Sequence, residues 1–119
     1  MKNISRIALV AALMAGTPSL ASAEGGFANG SELVAQMREY IKKPGDLTTN
    51  QVDAYSYVYF IAGVFGNMHD NDMICASAGL TRLQITEVVT ADLKNNPADW
   101  HYSASSLTAR ALKEAFPCK

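Results

Sequence analysis

Charge is scarce in this sequence and neither sign dominates: 18% of the residues are charged, with 10 Lys plus Arg against 11 Asp plus Glu. Without a basic cluster nothing grips a polyphosphate, so nucleic-acid binding is excluded as a main role. Charge runs and low-complexity stretches are also missing, which argues against a disordered chain. No alternating apolar and polar run is long enough to make a strand. Gly-rich phosphate loops, a Gly-x-Ser-x-Gly elbow and a His-Glu-x-x-His helix are all absent, and no catalytic set can be assembled from what remains. At 119 residues the chain has room for one small domain.

What is present begins with an export signal. Lys2 and Arg6 precede the apolar stretch Ile7 to Ala15, followed by Gly16, Pro18 and the small-residue triplet Ala21-Ser22-Ala23. This order reads as a secretory signal peptide over residues 1–23. The apolar stretch is about half of the roughly 20 residues that a membrane-spanning helix needs. Cleavage after Ala23 leaves a 96-residue domain, 24–119, starting at Glu24, with a net charge of about −3 once Lys2 and Arg6 are gone. With no cysteine at the new terminus to carry a lipid, the expected product is a soluble periplasmic protein with no membrane attachment.

Export decides how the cysteines are read. An oxidising compartment favours a disulfide, and two cysteines allow one intramolecular pairing, Cys75 with Cys118. Closing that 44-residue ring contributes about 4 kcal/mol in the chain-entropy account. Neither cysteine has a Cys or His partner at short ligand spacing, so a metal is not expected there.

The mature chain divides into four helical segments. Glu24 to Gly30 reads as a flexible lead-in, and Ser31 as the cap of a first helix with Leu33, Val34, Met37, Tyr40 and Ile41 on one face. Pro44-Gly45 ends it. Thr48 and Gln51 have capping-box spacing for a second helix, which carries two apolar stripes: Val52, Tyr55, Tyr59, Ala62, Gly66 and Val58, Ile61, Phe65, Met68. Two stripes predict a central, mostly buried helix, with Gly63 and Gly66 letting another helix approach closely.

A polar loop, Asn67 to Ala78, leads to a third helix capped by Thr81 and Gln84 and buried through Ile85, Val88, Val89 and Leu93. Asn95-Asn96-Pro97 stops it. The last helix starts near Ser103, with Ala104, Leu107, Ala111 and Ala115 on one stripe. The predicted fold is all-α, a small single-domain four-helix bundle with one disulfide.

Chemistry is harder to find. His69, Asp70 and Asp72 have metal-binding side chains, but three polar residues in a polar loop are ordinarily solvated, so neither metal nor cofactor is expected. His101, between Trp100 and Tyr102, reads as part of an aromatic cluster, and Ser103 and Ser105 have no identifiable His and Asp partners.

From about Phe27 to Cys118 the chain resembles the Rap/Tai family of immunity proteins. The pieces that carry the resemblance are Ser31-Glu32-Leu33, Phe60-Ile61-Ala62-Gly63-Val64, Cys75 ahead of the Thr81 to Val89 run, and above all the C-terminal run from Ala104 to Cys118. The chain departs from the family in lacking its frequent second cysteine pair and in placing Tyr59 where glycine is usual. The resemblance implies a periplasmic antidote, often a homodimer, that inhibits a peptidoglycan amidase effector of a type VI secretion system by inserting a loop into its active site. The loop Asn67 to Met73 is the candidate, with Met68 and Met73 filling an apolar groove and His69, Asp70 and Asp72 meeting catalytic polar groups. A periplasmic stress chaperone of similar size, exposing apolar surface when its carboxylates are protonated, is the competing class.

Overall fold

The computed structural model describes residues 29–119. The expected signal peptide, residues 1–23, and the start of the lead-in at Glu24 lie outside the described residues. The protein is all-α, with helices α1 (Gly30–Tyr40), α2 (Gln51–Asp70), α3 (Arg82–Asn95) and α4 (Ala104–Ala115), and a 3-10 turn, Pro97–Asp99, ahead of α4. Helix α2 packs against each of the other three, and α4 closes against α1 and α3.

Two helix starts differ from the sequence reading. The cap of α1 is Asn29, not Ser31: its side chain accepts from the Glu32 N–H at 2.9 Å, and the Glu32 carboxylate accepts from the Asn29 N–H at 3.0 Å. Asn29 has the same reciprocal reach to the third helical residue that defines a capping box. The lead-in therefore ends before Gly30, which is buried and donates its N–H to the Tyr102 carbonyl at 2.8 Å. A Cβ on Gly30 would collide with the Trp100 carbonyl and stand 2.6 Å from a Leu107 methyl, so glycine is what lets α1 begin against the approach to α4.

At α2 the cap is Asn50, accepting from the Asp53 N–H at 3.1 Å, rather than the Thr48 and Gln51 pair. Thr48 is engaged elsewhere, its hydroxyl and N–H both donating to Asp46 at 2.6 and 2.8 Å. The α1–α2 corner is further stitched by Glu39, whose carboxylate accepts from Lys42 and from the Asn50 N–H, each at 2.7 Å. Lys42 first, then the Asn50 bond, holds the Glu39 carboxyl below its ordinary pKa, and the Thr48 bonds do the same for Asp46.

The caps of α3 and α4 fall where the spacing predicts, at Thr81 with Gln84 and at Ser103. The core joins Leu33, Val34 and Met37 of α1 to Tyr57 and Ile61 of α2, Val89 and Leu93 of α3, and Leu107 and Leu112 of α4. Its buried hydroxyls are all bonded. Thr86, Thr90 and Thr108 donate to carbonyls four residues back, at 2.8 Å each. With the Thr90 proton spent in that way, the Tyr57 hydroxyl donates to Thr90 Oγ1 at 2.8 Å. Burial pushes the Tyr57 phenol well above its usual range, so it stays a donor. Arg110 clamps the far side, donating to Asp99 at 2.8 Å and Asp92 at 3.2 Å.

The second correction concerns α2, which is not mostly buried. Tyr57, Ile61 and Met68 are covered, while Val52, Tyr55 and Tyr59 are 73%, 60% and 57% exposed. Helix α2 contacts the other three helices, yet outside its own nearby backbone no atom comes within 4 Å of a Cβ built at Gly63 or Gly66.

Candidate functional site

The candidate loop is shorter than its sequence suggested, because α2 runs on to Asp70. Its last turn closes as a Schellman motif: the Met73 N–H bonds the Met68 carbonyl at 2.8 Å and the Asp72 N–H bonds the His69 carbonyl at 3.2 Å. Such a closure requires a left-handed residue after the cap, usually glycine, and here Asp72 takes it at φ 56°. An aspartate in that conformation costs on the order of 1 kcal/mol. Asp70 and Asp72 also place carboxylates at the negative end of the helix dipole, where anions are disfavoured. The fold is thus working against both acidic residues, and local rules are most often broken where a surface has a binding role.

Beyond the turn, the chain is tied down at once. Ile74 is buried, the Cys75 N–H donates to the Phe116 carbonyl at 2.9 Å, and Cys75 is joined to Cys118 with their Cα atoms 4.9 Å apart. The expected disulfide is therefore present and braces the segment from its far end. From the near end, His69 stacks on Phe65 at 5.9 Å between ring centroids, and Phe65 meets Phe116 edge-on. The His69 Nδ1 lies 3.6 Å from an Asp70 carboxylate oxygen. His69, Asp70 and Asp72 are exposed together as one tip on a rigid mount.

The two methionines differ from that tip in exposure: Met68 is buried, and Met73 is 46% exposed. Both line a groove between α2 and α4, of about 630 Å3, whose other walls include Tyr59, Gly63, Val64 and Ala109 with Ser105 and Ser106 on the rim. Met68 and Met73 are thus part of an apolar groove on this protein. Sequence reasoning missed the α4 side of the groove; on the α2 side it had singled out Tyr59 and Met68 as stripe positions and Gly63 as a place of close approach, without joining them.

The Ser103 hydroxyl donates to Ser106 Oγ at 2.8 Å and stands 3.4 Å from Ser105 Oγ, so these hydroxyls bond one another rather than an imidazole. His101 is exposed, leans on Tyr102 at 4.2 Å and bonds the Ala98 carbonyl through Nδ1 at 3.0 Å. Among the described residues no three His, Cys, Asp or Glu side chains gather into a metal-binding group.

A rigid acidic tip beside an apolar groove, carried on a disulfide-braced bundle of four helices, defines a small binding domain of the kind that docks on another protein. The chain belongs to the Rap1a immunity proteins, whose family model matches residues 29–118. No curated protein matches the chain.

Proposed function

We propose that this protein is the periplasmic immunity partner of a type VI secretion effector that cuts peptidoglycan as an amidase, acting as a homodimer that binds the enzyme without turning over any substrate. Export rests on the signal pattern Lys2 to Ala23, which would deliver the protein to the compartment where cell wall is cut. The immunity class comes with the family. The observation that carries the mode of action is the tip. Asp72 keeps a carboxylate at a left-handed position where glycine would relax the turn, next to an exposed Asp70 and His69. A pre-shaped acidic projection enters an electropositive catalytic cleft with little ordering cost, and its charge speeds encounter and orients the complex.

The test is coexpression with neighbouring hydrolases exported to the periplasm. Wild-type protein is expected to restore growth and to copurify with one of them, and failure against every such hydrolase overturns the immunity reading. An Asp70→Ala, Asp72→Gly variant should fold at least as well as the wild type, since it removes the left-handed penalty and both ill-placed charges, yet lose protection. Equal protection by the variant would leave immunity standing and remove the tip from the interface.

A further inference from the structure

Reactive sulfur in this domain is narrowed to one atom. Both cysteines are held in the Cys75–Cys118 bridge, which leaves no thiol to oxidise. Of the methionines among the described residues, Met37 and Met68 are each 3% exposed and Met73 is 46% exposed. Oxidation of a thioether follows its access to solvent, so Met73 is the sulfur that a dissolved oxidant reaches first.

Its place in the fold gives that access a consequence. Met73 closes the Schellman motif at the end of α2, its N–H bonded to the Met68 carbonyl at 2.8 Å. An apolar contact between the two positions joined by that bond ordinarily accompanies such a closure. Here both positions are methionine and both line the α2–α4 groove, whose lining carries no charged side chain. Asp72, just ahead of Met73, holds φ 56°, a conformation that aspartate does not favour, so the turn depends on what surrounds it.

We propose that Met73 is a modification site, oxidised to its sulfoxide by a peroxide, and that this change releases the Asp70 to Asp72 tip. In the step the thioether sulfur gives an electron pair to one peroxide oxygen, the O–O bond breaks and an S–O bond forms. Sulfur is oxidised, and hydrogen peroxide is reduced and leaves as water. The sulfoxide is polar where the thioether was apolar, and it favours water over the groove wall. With the apolar pairing of positions 68 and 73 lost, the left-handed turn opens. A tip that was shaped in advance then has to be ordered on binding, which weakens association. That last consequence rests on the immunity reading; the site and the turn do not.

Peroxide titration of the mature protein, followed by intact mass and by fragmentation of the peptide that holds both Met68 and Met73, reads the site. One oxygen atom is expected at Met73, at a rate roughly tenfold or more above Met37 and Met68. Hydrogen exchange followed by NMR reads the turn: exchange at the Asp72 and Met73 amides should rise about fivefold or more in the oxidised protein, while amides in the middle of α3 and α4 hold. Met73→Leu should show neither the oxygen uptake nor a peroxide-dependent change at those amides, and methionine sulfoxide reductases should reverse both in the wild type. Oxidation of Met37 or Met68 as fast as Met73 overturns the site, and a Met73 sulfoxide with unchanged exchange at Asp72 and Met73 overturns the release. Neither readout involves an effector, so protection against no hydrolase would leave this inference standing while the immunity reading fell.

Discussion

The two sides of α2 are made from the same residue types and have opposite fates. On the inner side Tyr57 and Ile61 are sealed, with the Tyr57 hydroxyl passed to Thr90. On the outer side Tyr55 and Tyr59 stay in water. Two helical glycines sharpen the contrast at the level of the whole domain: at Gly30 of α1 the missing Cβ is used up by Trp100 and Leu107, while at Gly63 of α2 nothing uses it. Apolar sequence alone does not say which surface is core. A covered face belongs to the interior of the domain, and an open one of the same composition faces solvent.

The largest expected effect is on the brace that holds the end of α2 to α4. Cys118→Ser should cost about 4 kcal/mol, a drop of roughly 20 °C in Tm for a domain of this size, seen equally when the wild type is melted with a reductant. Next, Ile61→Ala on the inner face should destabilise by about 3 kcal/mol in urea titration. Tyr55→Ala on the outer face should stay within about 0.5 kcal/mol in the same titration. Equal losses at the two sites would break the comparison.

Gly30→Ala should cost about 2 kcal/mol through overpacking against a backbone carbonyl that cannot move aside, in contrast to the tolerance expected at Gly63. Tyr57→Phe, which removes one buried donor and leaves the Thr90 to Thr86 bond in place, should cost about 1 kcal/mol by the same titration.

The smallest effect is at the corner where α1 hands over to α2. Glu39 and Asp46 have lowered carboxyl pKa values in the folded protein, so their contribution is complete above the ordinary values of 4.5 and 3.8 and fades as pH falls through the lower folded values. A shallow loss of Tm is expected on acidification in that window, and Glu39→Gln should flatten it.

Much of this was legible beforehand because it depends on neighbours in the chain. The helical periods, the Thr81 and Gln84 box, the Ser103 start and the Pro-Gly stop before α2 are all settled within a few residues of themselves. The Cys75 to Cys118 pairing followed from there being no other partner for either. Caps were less secure where several candidates crowd together: Asn29 and Ser31 at the start of α1, and Thr48, Thr49 and Asn50 ahead of α2, each carry a side-chain oxygen able to accept from a helix N–H. Which one does so depends on whether another contact has claimed it, as Asp46 claims Thr48.

The sequence by itself determined an all-α chain of four segments, one disulfide and the residue types of the tip. The tertiary structure decided which side of α2 is covered, that Met68 and Met73 line a groove on this protein, that Asp72 takes the left-handed position, and that Gly30 is a contact rather than a tether. Periodicity is a property of one helix. Burial is a property of where the other three have room to lie, and the three helices packed against α2 leave part of its apolar stripes in solvent.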